Sequence, residues 1–456
     1  MKTVALVSLG CPKNRIDSEY VLGALGEAGF MITDDPATAD VTVVNTCGFI
    51  EAAKEESIRT ILDLAELKKA DPAKRLVVIG CLAQRYADEL GREIPEIDAV
   101  AGTEADDVIV DLLSRVAAGE QPYVVGPCDS RPTYDPRRPR LLTTSPGTAY
   151  LKIAEGCDHR CAFCAIPSIR GPFRSRPRAA IVDEARQLAA MGVRELILVA
   201  QDATAYGRDL GPEEDVARLL GELDAVPGVT WIRSLYLHPG RVDAALVEAI
   251  ARSRHVCRYF DLPMQHASDR VLQAMGRGET AEGLRRLVKL IRERIPGAFL
   301  RASFIIGYPG ETEADVDELL DFLKWARLDH AGFFAYSQEE GTRAADLEGQ
   351  VPEEAKAERL RRVGRSQRTV AREANRARVG GTIDVLIERR RRGAHPLVGR
   401  GEKDAPDIDG SVFLRPAAGA PKESWPQEGE MVRARVISSS TFDLYAEVIG
   451  SGAKPG

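Results

Sequence analysis

The stretch AYLKIAEGCDHRCAFCAIPSIRG, residues 149–171, decides how the middle of the chain is read. Its apolar run, 149–154, predicts a buried strand. The run breaks at Glu155-Gly156 and delivers Cys157, Cys161 and Cys164 in the loop that follows. Zinc is the plain explanation of clustered cysteines, but a structural zinc takes four protein ligands and only three stand here. His159 lies inside the loop, where its ring does not easily face the same metal, and it reads as a loop residue. Three cysteines on an iron–sulfur cubane leave one iron open for a small-molecule ligand. Phe163, just before Cys164, suits the shielding of such a cluster.

Working toward the C-terminus, strand-like runs recur at 195–200, 231–237, 259–262, 300–306 and 332–336. Helical patterns lie between them, at 181–190, 241–252, 280–294 and 313–326. With 149–154 these make six βα units, a partial form of the eightfold barrel, in which chemistry collects at the carboxyl ends of the strands. Gln201, Asp202, Gln265 and Arg301 are the candidates for polar contacts to a cofactor. His238 and His266 read equally well as satisfied hydrogen-bonding residues. Gly307 and Gly310 would let backbone approach a nucleoside, and a simple turn requires them just as much.

Working toward the N-terminus, strands are predicted at 3–9, 41–46, 75–80 and 98–101, with helices at 15–28, 49–69, 83–92 and 104–117. Near-continuous β-branched runs alternating with amphipathic helices mean a parallel sheet covered on both faces. The first three strands read VSLG-Cys11, VVNT-Cys47 and VVIG-Cys81. In open α/β sheets the carboxyl ends of the strands form the ligand crevice. Core packing does not require the same residue at the same topological position three times. No fourth ligand for zinc stands nearby, and an iron–sulfur cluster with one open iron fits three thiols. Cys128 and Cys257 have no partner spacing and read as packed thiols.

With 456 residues, about three domains are expected. A hydrophobic content of 44% and a charged content of 29% are ordinary for a soluble globular chain. There is no run of eighteen apolar residues. Met1 and Lys2 lead straight into the first strand without a signal-peptide layout. The expected location is cytoplasmic, where eight cysteines are more readily ligands, catalytic groups or buried thiols than disulfides. A net charge of −7 argues against wrapping nucleic acid along the whole length.

The expected organisation is α/β throughout its first two parts. An N-terminal parallel α/β sandwich spans 1–125. A Pro- and Arg-rich linker, 126–147, contains Pro127, Pro132, Pro136 and Pro139. A partial (βα)6 barrel spans 148–378 and ends in a long basic amphipathic helix, 353–378, packed along the barrel with a solvated face. A small all-β barrel spans 379–450, with strands at 383–387, 397–399, 410–414, 431–437 and 442–448. Residues 381–456 carry eleven Lys/Arg and eleven Asp/Glu, whereas an RNA-binding barrel is expected to be basic. The arginine run 389–392 is able to touch phosphate, but KDAPDIDG at 403–410 is acidic and would repel it. That balance favours a protein partner with a basic surface.

CxxxCxxC with an aromatic before the last cysteine resembles the radical S-adenosylmethionine superfamily. In that family the open iron binds the methionine moiety, and one electron releases a 5′-deoxyadenosyl radical. The C-terminal barrel resembles a TRAM domain, an add-on that often binds RNA. In this order the three parts resemble the methylthiotransferases. The resemblance implies S-adenosyl-L-methionine and two 4Fe-4S clusters, an auxiliary one on Cys11, Cys47 and Cys81 and the radical one on Cys157, Cys161 and Cys164.

SLGCPKNRIDSE (8–19), DLPMQHASDRVLQAMGR (261–277), FIIGYPGETEADVDELLDFL (304–323), GFFAYSQEEGTRA (332–344) and APDIDG (405–410) are similar to the RimO branch. That branch modifies an aspartate of ribosomal small-subunit protein twelve, whereas the tRNA branch reads closer to GCQMN at its first cysteine. The implied reaction removes a hydrogen from the aspartate β-carbon, adds sulfur held at the auxiliary cluster, and takes a methyl group from a second S-adenosylmethionine. Implied partners are the ribosomal protein, an electron donor, and ribosome or RNA through the TRAM domain, with no membrane and a monomeric chain. A tRNA adenosine methylthiotransferase is the alternative within the enzymes. An iron–sulfur RNA-binding or redox-sensing protein without catalysis is the alternative outside them.

Overall fold

Val43, Val77 and Ile79 point to one face of the first sheet, and Val44, Leu76 and Val78 to the other, so both faces need cover. Helices supply it: Val21 and Leu112 pack on the first face, Ile61 and Leu82 on the second. Each fully buried valine or leucine of this kind contributes about 1.5–3 kcal/mol. This is a computed structural model, and it describes residues 2–128, 135, 138–417 and 419–452. Pro132 and Pro136 of the linker lie outside the described residues.

The N-terminal elements are β1 (Thr3–Ser8), α1 (Pro12–Glu27), β2 (Met31–Thr33), β3 (Val41–Thr46), α2 (Glu51–Ala70), β4 (Arg75–Gly80), α3 (Cys81–Glu93), β5 (Ala99–Ala101), α4 (Ile109–Ala117) and β6 (Tyr123–Val124). The strands form one parallel sheet in the order β2-β1-β3-β4-β5-β6. The edge strands β2 and β6 are additions to the sequence expectation, because three and two residues are too short to show a period. Helix α1 starts at Pro12, earlier than the pattern suggests, because proline is favoured in the first turn, where its missing N–H costs nothing.

Next come β7 (Thr148–Lys152), β8 (Ala154–Glu155), α5 (Ile166–Arg170) and β9 (Arg174–Ser175). The chain divides into two compact units, and the cut falls here. Residues 154–176, with their three cysteines, belong to the unit of the N-terminal sheet, as do 337–346. The end of the linker is strapped within that unit. Arg140 donates to the buried carboxylate of Glu19 at 2.6 Å, and the Thr143 N–H and hydroxyl donate to its other oxygen at 2.8 and 2.9 Å.

The second unit takes β7 and continues with α6 (Arg178–Ala190), β10 (Glu195–Val199), α7 (Val216–Asp224), β11 (Trp231–Ser234), α8 (Ala244–Arg252), β12 (Tyr259–Gln265), α9 (Asp269–Ala274), α10 (Ala281–Arg294), β13 (Phe299–Ile306), α11 (Glu313–Ala326) and β14 (His330–Ala335). Two parallel sheets, β7-β10-β11 and β12-β13-β14, meet through the bridge between Ile232 and Val256. This is the expected six-stranded partial barrel. Helix α12 (Glu353–Arg376) lies along it, burying Val363, Val370 and Ala371. The chain ends in β15 (Thr382–Arg390), β16 (Leu397–Gly401), β17 (Val412–Arg415), β18 (Met431–Ser439) and β19 (Leu444–Ser451), a closed barrel in the order β15-β16-β17-β19-β18.

The acidic stretch 403–410 departs from the sequence expectation. Most of the acidic stretch 403–410 faces inward, and only Asp407 and Ile408 at its tip are exposed. Asp409 accepts from the Tyr259 hydroxyl at 2.6 Å and pairs with Arg301 at 3.4 Å. Asp404, fully buried, lies 2.5 Å from Lys403 and 3.4 Å from His330. Nearby, Glu195 is held by Arg233 at 2.8 Å and Arg400 at 2.5 Å. Buried cations need counter-charges. The carboxylates of this stretch neutralise Arg301, Lys403 and their neighbours instead of repelling a ligand.

Candidate functional site

The sheet register places Ser8 opposite Asn45 and Asn45 opposite Ile79. Three neighbouring strands therefore end level, and Cys11, Cys47 and Cys81 leave the same edge. Cys11 stands at the N-cap position of α1 and Cys81 is the first residue of α3. Ser57 of α2 fixes the Cys47 backbone, accepting from its N–H and donating to its carbonyl, both at 3.0 Å.

A glycine adjoins each of these cysteines. A Cβ on Gly10 would stand 2.7 Å from the Cys47 Cβ. One on Gly48 would stand 2.9 Å from the Cys81 carbonyl oxygen, and one on Gly80 would stand 2.2 Å from the Asn45 Oδ1. Gly10 and Gly80 also need positive φ, +88° and +94°. The Gly-Cys, Cys-Gly, Gly-Cys pattern was in the sequence, and it reports how tightly the three loops approach one another.

Burial, reinforced by Cys81 and Cys11, pushes the Cys47 thiol up to about 12. Burial also raises Cys81, which Arg170 opposes. Cys47 and Cys81 thus resist ionising unless a cation takes up the charge, and a donor set of this kind fits a cationic cluster. Among the described residues, no three His, Cys, Asp or Glu side chains converge as ligands of one metal ion. A cubane binds each thiolate through a different iron, so its ligands stand wider apart than those of a single ion.

The second triad lies in the same unit. Gly156 turns the chain with φ of +76°, and a Cβ there would stand 2.0 Å from the Pro172 carbonyl oxygen. The Cys157 N–H donates to Gly171 at 3.1 Å, and the Cys164 N–H to Cys161 at 3.2 Å. Cys157, Cys161, Cys164 and Phe163 are half-buried. Cys81 packs in one apolar cluster with Ala165, the residue after Cys164, and with Ile169. Beside that cluster lies Arg170, a residue the sequence reading passed over. It is buried and donates to Asn14, Asp17, Glu155 and the Cys81 sulfur. Cys128 donates to the Ile169 carbonyl at 3.3 Å, and Cys257 is a buried thiol raised by burial.

In the second unit, Gln201 and Asp202 follow β10, and Gln265 ends β12. Asp202 accepts from the Thr204 N–H at 3.0 Å and from Arg241 at 2.7 Å. Gln265 has φ of +69° and Tyr236, just past β11, has +61°. Left-handed non-glycine residues concentrate at functional sites, and both stand at the carboxyl ends of strands. Arg301 is placed differently. It is the third residue of β13, at the amino end, and its partners are Asp261 at 2.7 Å and Asp409. His238 lies 3.1 Å from Glu279, and His266 accepts from the Ser268 N–H at 3.0 Å. A Cβ on Gly307 would strike Lys356 of α12 at 2.3 Å, and the Gly310 N–H donates to Gly349, so turn and packing account for both glycines.

Three family descriptions match the chain: Uncharacterized protein family UPF0004 over residues 3–102, Radical SAM superfamily over 151–323, and TRAM domain over 379–449. The chain is 50% identical over 450 residues to "Ribosomal protein uS12 methylthiotransferase RimO" of Desulforudis audaxviator, covering 98% of this chain and 97% of that protein. It is 47% identical to the protein of the same name from Pelotomaculum thermopropionicum, covering 98% and 99%. Among solved structures, the radical S-adenosylmethionine methyltransferase TsrM from Kitasatospora setae is similar in fold, with a TM-score of 0.53 and 18% identity over 73% of each chain. Radical SAM membership brings with it S-adenosylmethionine and a 4Fe-4S cluster. By this full-length similarity the chain is an enzyme and belongs to the RimO family of radical SAM methylthiotransferases.

Proposed function

We propose that the chain adds a methylthio group to the β-carbon of an aspartate in ribosomal protein uS12, the substrate named for its relatives. Cys157, Cys161 and Cys164 hold the radical SAM cluster, and Cys11, Cys47 and Cys81 hold a second 4Fe-4S cluster. When bound, these clusters supply the electron that cleaves S-adenosylmethionine and the sulfur that is transferred. The supporting observation is the packing of Cys81 on Ala165, which makes the two cysteine sets neighbours within one compact unit.

The chain's own residues then have definable tasks. Gly10, Gly48 and Gly80 allow the three loops to close around their thiols. Asn14 donates to the Thr46 carbonyl at 2.9 Å and to the Leu9 carbonyl at 3.1 Å, tying the first two cysteine loops together. Gln201, Asp202 and Gln265 at the strand ends contact S-adenosylmethionine. Residues 1–125, 148–378 and 379–450 act as sulfur-supplying, radical-generating and recognition domains, joined by 126–147.

On the C-terminal barrel, Phe413 stacks on Tyr445 at 5.4 Å, and Arg391 lies 4.3 Å over the Phe413 ring. Arg389, Arg390, Arg392 and Arg415 of the same barrel are exposed. Arginine and stacked rings together suit ribosomal RNA beside the protein substrate. The enzyme works in the cytoplasm as a monomer supplied by a separate electron donor. Among the described residues no helix is long and apolar enough to cross a membrane.

Mass spectrometry of ribosomal proteins and tRNA from a deletion strain tests the proposal. Loss of methylthio from a uS12 aspartate, restored by the gene, is expected. Loss from tRNA adenosine with uS12 unchanged would overturn it.

A further inference from the structure

Arg170 is the last residue of α5, and the following Gly171 has φ of +69°. A Cβ on Gly171 would stand 1.8 Å from the Cys128 carbonyl oxygen, so the chain turns here only with glycine. That turn buries the guanidinium completely. Its fork reaches Asp17 at 2.9 Å, Glu155 at 3.1 Å, the Asn14 side-chain oxygen at 2.6 Å and the Cys81 sulfur at 3.3 Å. Two carboxylates already neutralise the charge, so ion pairing does not require the contact to sulfur. It places a permanent cation and an N–H donor on one ligand of the first cysteine set. Through Glu155 the same group touches the residue two before Cys157.

We infer that Arg170 is a positioning residue for the auxiliary centre, setting its reduction potential by donating to the Cys81 sulfur. The inference rests on the proposed cluster at Cys11, Cys47 and Cys81. Hydrogen bonds to ligand sulfur and nearby positive charge stabilise the more electron-rich state of an iron–sulfur centre and raise its potential. Asp17 works in the opposite direction, because its carboxylate offsets the guanidinium. Lysine keeps the charge but loses the planar fork that serves four acceptors at once. The two sides of the Arg170–Asp17 pair therefore have opposite effects on the same centre, which a purely structural tie would not produce.

The test uses the full chain with Cys157, Cys161 and Cys164 all replaced by alanine, so that only the auxiliary centre assembles. After anaerobic reconstitution its midpoint potential is followed by electron paramagnetic resonance. Arg170→Gln is expected to shift the potential down, Arg170→Lys to shift it down by less, and Asp17→Asn to shift it up, at equal iron and sulfide per chain. If Arg170→Gln does not fold, the opposed shifts of Arg170→Lys and Asp17→Asn carry the test. Potentials that stay unchanged, or move in the same direction, with the cluster assembled would overturn the role of Arg170 and leave the auxiliary cluster standing. A triple-alanine chain that binds no cluster would overturn the auxiliary-cluster proposal itself, and the inference with it.

Discussion

Arg233 donates to Glu195 at 2.8 Å with both side chains fully withdrawn from water. Arg400 closes on the other carboxylate oxygen. Burial alone would raise Glu195, but Arg400 and Arg233 hold its carboxyl below the usual range. Removing this carboxylate leaves buried Arg233 without a carboxylate and Arg400 with Glu388 alone, which costs about 3–5 kcal/mol. Glu195→Ala is expected to lose that much in urea denaturation, against a change within about 0.5 kcal/mol for the exposed Glu423→Ala.

Asp404 gives the second unit an acid limit. Burial opposes its charge, but Lys403 and His330 hold its carboxyl down to about 2 from 3.8. A depressed carboxylate stabilises the fold above its unfolded pKa, and the contribution is lost as pH falls through the folded value. About 2 kcal/mol should therefore disappear between about pH 4 and pH 2. Urea midpoints measured across that window should fall for the parent chain and flatten for Asp404→Asn.

Gly80 sits at positive φ with the Asn45 oxygen where a side chain would go. Gly80→Ala is expected to cost about 1–3 kcal/mol in backbone strain and to displace Cys81. Iron content after anaerobic reconstitution should drop by about half, from about two cubanes to one on the ligand count.

Cys47→Ala should leave reductive cleavage of S-adenosylmethionine intact while abolishing methylthio transfer. Chromatography of 5′-deoxyadenosine beside mass spectrometry of a uS12 peptide separates the two. Equal loss of both would show that Cys47 does not serve a separate centre.

The aromatic and arginine patch predicts a salt-sensitive contact. Arg391→Ala with Arg415→Ala should weaken binding to ribosomal RNA. The slope of log affinity against log salt should fall by about one for each phosphate contact removed. Filter binding from low to physiological salt measures it, and an unchanged slope would count against this surface.

Much of the fold was legible because its signals are local. Val41–Thr46 and Arg75–Gly80 are short, β-branched and bounded by Cys-Gly and Gly-Cys, and they became strands with nearly those limits. The six ligand candidates were legible because spacing and topological position repeat. Arg170 was not, since its four partners come from three distant segments and no periodicity links them. Arg301 and the 403–410 stretch misled for a related reason. A charged residue reads as surface or site until its partner is known, and Arg301 and Asp409 lie about a hundred residues apart.

The return of residues 337–346 to the N-terminal unit bears on how the chain is made. Lys54 and Arg85 each lie 3.1 Å from Glu339, a carboxylate buried with them and synthesised over 250 residues later. Domains tend to fold as they emerge during translation, and long loops delay the contacts that close them. The nascent N-terminal sheet must wait, with Lys54 paired only to Glu51 and Arg85 without its carboxylate, until the strands of the barrel have left the ribosome. A shorter delay holds for Asn14 and Asp17, which wait for Arg170. The final surroundings of the N-terminal cysteines are thus completed late, after segments far along the chain have been made.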